Sequence, residues 1–178
     1  MGRTIPIAPH PLLDAGAFIT RFAQPLGELT TKIDAGVTPP LSTSDAVRTE
    51  IRQLLRHGGF KPAGRSKPAS EYLVAAHTEG RFPTINAAVD ACNVASLWSG
   101  LPISLVDLDR VVGDLSIGIC SAGTNYVFNP SGQVIDASGL LALFDTEGPT
   151  GTPVKDAQRT KTHDGTLSTI SIIWGTNQ

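Results

Sequence analysis

Apolar residues in this chain recur at two periods. Over residues 44–57, Val47, Ile51, Leu54 and Leu55 fall on one face at helical spacing, and Ser42, Thr43 or Ser44 can cap the start. Asp45 suits the positive end of that helix, and Gly58-Gly59 stops it. A second, short helix is predicted over residues 70–77, with Pro68 near its first turn and Tyr72, Leu73 and Ala76 facing inward. A third, over residues 86–98, is almost wholly small and apolar; Thr84 is placed to cap it, and Gly100 and Pro102 end it. Asn86, Asp90, Asn93 and Leu97 fall at i, i+4, i+7 and i+11, so one largely polar line runs along this rod. That line places Asn93 in the wall of a cavity or in a hydrogen-bonded joint.

Beyond residue 102 the period becomes extended. Residues 103–108, 115–120 and 126–128 have strand composition, Asn129-Pro130-Ser131-Gly132 is a turn, and residues 134–136 and 140–144 return antiparallel. Residues 146–154, TEGPTGTPV, read as a flexible loop. The final strand, over 167–174, sets Ile170, Ile172 and Trp174 against Thr169, Ser171 and Ile173. In residues 1–43, Pro6, Pro9, Pro11, Pro25, Pro39 and Pro40 predict short elements wrapping over the body, docked by Phe18, Ile19 and Phe22 on one helical turn. Together these elements predict a single α+β domain, with residues 44–178 as its main unit. Mixed and antiparallel sheets would pack around the apolar helix.

Composition narrows the class. The chain has 178 residues, 40% of them hydrophobic and 17% charged, with a net charge of −2, enough for one core without staples. No apolar run approaches the roughly 18 to 20 residues of a membrane span, and the start lacks the apolar middle of a signal peptide. A cytoplasmic protein with no membrane partner is expected. Cys92 and Cys120 read as reduced core residues, since two thiols without a CxxC or Cys/His cluster make neither a disulfide framework nor a zinc site. Neither GxSxG, HExxH, a Walker loop nor GxGxxG occurs, and His10, His57, His77 and His163 are scattered, so no metal or cofactor is expected.

Charge is unevenly placed. Between residues 48 and 67, Arg48, Arg52, Arg56, Lys61, Arg65 and Lys67 stand against the single acid Glu50. The cluster suits phosphate contacts, and equally a solvated helix face followed by a basic loop. KDAQRTKTHDGT, residues 155–166, packs Lys155, Asp156, Gln158, Arg159, Lys161 and Thr162 directly after the expected loop, as a lid followed by a ligand site would, or as a solvated strand entry. Asp107 and Asp109 share one side of an extended segment, where pairing with Arg110 or Arg81 or capping a turn is the expected role.

The central block VDACNVASLWSGLPISLVDLDRVVG resembles the B3/B4 domain of the bacterial phenylalanyl-tRNA synthetase beta subunit, and free-standing relatives of that domain more closely still. The likeness extends more thinly from about residue 61 to 174. It implies a compact body of mixed sheets and helices that binds tRNA and removes a wrong amino acid from its end by hydrolysing the ester. It implies no cofactor and no DNA partner; aminoacylated tRNA and an aminoacyl-tRNA synthetase are the partners it suggests. Asn93 takes the place of the family's pocket asparagine, Cys92 that of a threonine, and Gly100 and Pro102 those of the turn residues. Ser104 replaces the family's following histidine, and the later acidic pocket residue falls within residues 156–160. The resulting amino-acid pocket is Cys92, Asn93, Pro102, Ser104, Asp156, Gln158 and Arg159, and the tRNA surface is Arg56, Lys61, Arg65, Lys67 and Lys161. The Ser104 replacement keeps a non-catalytic RNA-binding or regulatory module open beside the hydrolase, and an amino-acid-binding module without RNA is a third reading.

Overall fold

The computed structural model describes residues 4–36 and 43–177 and shows one α+β body. Ser42, Pro39 and Pro40 lie outside the described residues. The first helix, α1 (Asp45–Arg56), starts where Ser44 accepts a hydrogen bond from the Val47 N–H, and it buries Ile51, Leu54 and Leu55. The second, α2 (Ala69–Thr78), follows Pro68, and the third, α3 (Ala87–Ser99), ends at Gly100 with φ 77°, a left-handed cap that favours glycine. Its N-cap is Asn86 rather than Thr84, because the Asn86 Oδ1 reaches the Val89 N–H.

Eight strands make three antiparallel sheets among the described residues. Strands β1 (Leu13–Arg21), β8 (Ser168–Thr176) and β2 (Ile103–Asp107) form the first, with β8 central. The second sheet is β3 (Ser116–Ile119), β6 (Leu141–Asp145) and β7 (Gly148–Gly151). The hairpin β4 (Asn125–Val127) and β5 (Val134–Asp136) turns at the expected Asn129–Gly132 segment. Between the sheets lies the main core, built from α1, Val106, Leu140, Leu143, Ile170, Ile172 and Trp174.

Three expectations change. Residues 13–21 form a nine-residue strand in full register with β8, so Phe18 and Ile19 sit on β1 and not on a helical turn. The prolines flank this strand and leave its interior free to pair. Residues 146–154 are no open loop either: after a tight turn at Thr146 and Glu147 the chain pairs back as β7, and residues 149–154 are all buried. Their hydroxyls find internal partners, as in the Thr150 Oγ1 hydrogen bond to the Leu143 carbonyl, which lets so polar a stretch go inside. Finally, α3 is covered on one side only. Asp90, Val94, Ser96 and Leu97 are buried, while Ala91 and Ala95 face solvent, since small side chains tolerate either environment.

Candidate functional site

The pleat of β8 decides where the site lies. Ile170, Ile172 and Trp174 enter the core, which turns Thr169, Ser171 and Ile173 to the other face. On β2, Leu105 is opposite Ser171 and Asp107 opposite Thr169. Helix α3 crosses this face with the Cys92 Sγ 3.7 Å from the Ser171 Oγ. Thr169 and Ser171 are buried, and the Thr169 hydroxyl has no hydrogen-bond partner among the described residues. Asn93 is half-buried on the same helix, and no hydrogen bond engages its amide among the described residues. The seam between α3 and the sheet therefore holds unused hydrogen-bonding capacity, which buried structural polar groups rarely do. Burial, with the Asp156 charge adding to it, holds the Cys92 thiol above its ordinary pKa, so it is a weak nucleophile.

Asp156 closes one end of the seam. Its Oδ2 accepts from the Leu105 N–H at 3.0 Å and its Oδ1 from the Thr152 N–H at 3.1 Å, tying β2 to the segment after β7. Burial pushes this carboxyl up to about 6 against the pull of those N–H groups and the Lys161 charge. The adjoining backbone is rigid. The Thr152 hydroxyl accepts from the Lys155 N–H at 3.1 Å, and the Tyr126 hydroxyl donates to the Lys155 carbonyl. Burial raises the pKa of the Tyr126 phenol, which keeps it a donor.

Beside Asp156 stands a group of cations. The Lys155 Nζ is 4.2 Å from the centre of the Phe128 ring, and the Lys161 Nζ is 5.9 Å from it and donates to the Phe128 carbonyl. Burial first, then Arg65, lowers the Lys155 pKa; burial and Lys155 lower that of Lys161, partly offset by Asp156. A hydrogen bond of 2.9 Å from the Ala69 N–H to the Pro153 carbonyl pins the basic loop of Arg65 and Lys67 against this segment.

The remaining expected residues separate. Ser104 is fully buried, accepting from the Trp174 Nε1 at 2.9 Å and donating to the Thr152 carbonyl at 3.0 Å, and its hydroxyl also helps hold down the Asp156 pKa, so it joins the core to that carboxyl. Pro102 is likewise buried, its carbonyl accepting from the Trp174 N–H at 3.0 Å. Arg159 does not close a pocket either. It grips the buried Asp145 through two hydrogen bonds, of 2.8 and 2.6 Å, and reaches the Gly148 carbonyl at 3.0 Å. Burial pulls the Asp145 carboxyl up, but Arg159 and two backbone N–H groups outweigh it and leave its pKa below the ordinary value. Gln158 is half-buried beside Arg159.

Of the six basic residues between 48 and 67, Arg48 pairs with Asp45, and Arg52 pairs with Glu71 through bonds of 2.6 and 2.7 Å. Arg56, Lys61, Arg65 and Lys67 remain exposed, and no ion pair engages them among the described residues. Lys155 was singled out from sequence only as a member of the polar cluster over residues 155–166, and as site residues the sequence did not single out Phe128, Thr169 and Ser171. Two buried hydroxyls alternating with core residues in β8 were the signal for the last two.

An Asp–His contact elsewhere is structural. Asp107 accepts from the Thr166 hydroxyl at 2.6 Å and from the Asp109 N–H at 2.9 Å, and the His163 Nε2 is 3.4 Å away. The His163 Nδ1 accepts from the Gly165 N–H at 3.1 Å. This cluster caps a turn and holds the approach to β8. One cavity, about 630 Å³ between β1, Ile5, Ile7 and Leu115, is apolar apart from Thr4 and Asp114, and another of about 310 Å³ lies between α1 and α2. Neither contains an expected site residue. Among the described residues no group of three or more His, Cys, Asp or Glu could hold a metal ion, and no helix is long and apolar enough to cross a membrane.

No protein-family model matches this chain, and a search of curated proteins found no match.

Proposed function

We propose that this protein binds the aminoacylated end of a tRNA and hydrolyses misacylated ester in trans. What supports the reading is one adjacency: Cys92 of α3 meets Ser171 of β8 and feels the charge of Asp156, which also acts on Lys161, with Lys155 and Arg65 in the same group of cations. The resemblance of the central block supports it too.

An aminoacyl ester is already activated, so positioning a water and polarising the carbonyl can suffice. In this reading the seam receives the amino acid, with the Asn93 amide and the Thr169 hydroxyl supplying hydrogen bonds. Asp156 offers negative charge to the ammonium. Arg65, Lys67 and Lys161, with Arg56 and Lys61 further along the basic stretch, meet RNA phosphates, and the synthetase that charged the tRNA is a natural partner. Water adds to the ester carbonyl, the carbon–oxygen bond to the ribose breaks, and a free amino acid and a ribose hydroxyl result.

A second reading, RNA binding without chemistry, is favoured by one observation: Ser104 is sealed in the core, so this chain offers nothing from that position where the family places a histidine.

The test is deacylation of a panel of correctly and incorrectly charged tRNAs by the wild type and Asn93→Ala. Turnover of one mismatched pair, reduced at least tenfold in Asn93→Ala with melting within a few degrees of wild type, is the expected result. tRNA binding without turnover leaves the second reading, and neither binding nor turnover removes both.

A further inference from the structure

Between Arg65 and Lys161 the protein concentrates more positive charge than the neighbouring Asp156 offsets. Two ammonium groups share one aromatic ring, Lys155 over the face of Phe128 and Lys161 farther out, and both are partly dehydrated. Arg65 adds a third charge felt by Lys155. The acid in reach, Asp156, brings at most one negative charge against these three positive ones, and backbone N–H groups hold both of its oxygens in place. Cation–π attraction accounts for where Lys155 lies but does not cancel repulsion between like charges. The side chain is also aimed: Tyr126 and Thr152 clamp the Lys155 backbone at its N–H and its carbonyl. Such preorganisation lowers the cost of binding, because little is left to order when a ligand arrives.

We propose that Lys155 and Lys161, braced on Phe128 with Arg65 at the outer side, form a binding site for a single phosphate group of a nucleotide. A phosphate ester brings several oxygens and a full negative charge to ammonium donors that each carry three N–H bonds, and it offsets the repulsion among these cations. The phosphate belongs either to the terminal nucleotide of an RNA, which rests on the function proposed above, or to a free nucleotide, which does not.

The experiment titrates wild type, Lys155→Gln and Lys155→Arg with AMP, adenosine, inorganic phosphate, acetate and an RNA hairpin ending in single-stranded CCA. Binding is read by amide NMR shifts, and melting of each variant checks the fold. AMP and phosphate are expected to shift amides near Phe128 and in residues 153–162, while adenosine and acetate leave them still. Lys155→Gln should weaken AMP binding about tenfold, and Lys155→Arg should retain it. AMP binding that depends on Lys155 without any RNA binding would support the site and remove the tRNA reading. RNA binding untouched by Lys155→Gln, with AMP shifting nothing, would overturn the site and leave the tRNA reading standing. Adenosine or acetate binding as tightly as AMP would overturn it as well.

Discussion

Two polar regions of this protein lie on either side of β2 and differ in how completely their groups are used. In the core, Trp174, Ser104 and the Thr152 carbonyl form a closed chain, and Arg159 and Asp145 form another. The Trp174 Nε1 and the Ser104 hydroxyl each meet an acceptor, and the Asp145 carboxylate is held by Arg159. On the opposite face of β8, by contrast, the Thr169 hydroxyl has no partner among the described residues, and in the cation group Lys155 and Lys161 share the Phe128 ring with the single carboxyl of Asp156 acting on Lys161. Burial alone does not tell the two apart, because Ser104 and Thr169 are both fully buried. Saturation does: a closed network specifies the fold, whereas an open one keeps free energy available to a ligand.

That contrast can be broken experimentally. The largest effect is expected from Arg159→Ala, which strands the buried Asp145 carboxylate and should lower unfolding free energy by about 3 kcal/mol in urea titrations. A change near zero would reassign Arg159 to the surface and reopen its place in a pocket. A matched pair sharpens the comparison further. Ser104→Ala leaves the Trp174 N–H unpaired and should destabilise by about 1–3 kcal/mol, while Thr169→Val removes an unpaired hydroxyl and should stabilise by about 1 kcal/mol. Equal losses in both variants would mean that Thr169 is as well bonded as Ser104 and that the seam is not open.

A further effect concerns pH. With its folded pKa raised from 3.8 to about 6, Asp156 keeps a proton in the folded state that the unfolded chain has released. Its contribution to stability therefore falls as pH rises from about 4 to about 6 and is flat above that window. Unfolding curves for Asp156→Asn should lack that component relative to wild type, and identical pH profiles would mean that Asp156 titrates normally.

Local pattern was enough to locate α1, α2 and α3 to within a residue or two, along with the Gly100 cap, the Asn129–Gly132 turn and the inward face of β8. Each rests on contacts within a few positions, where periodicity and backbone preference act directly. The basic stretch was legible too, but not which of its charges are free. Arg52 is matched by Glu71, 19 residues on, and Arg159 by Asp145, 14 back, and no spacing rule joins such partners. Asn93 came from the polar line along its helix and, with Cys92, from the resemblance; the placement of Cys92 over Ser171, 79 residues on, came from packing. The same holds for β1, whose partner β8 lies at the other end of the chain, and for β7, polar enough to read as a loop until internal acceptors for its threonine hydroxyls are in place. What the sequence by itself determined is where elements begin, end and turn their apolar side. Which polar groups meet, and hence which are left over to bind something else, only the tertiary structure decided, because hydrogen-bond saturation is a property of distant partners brought together.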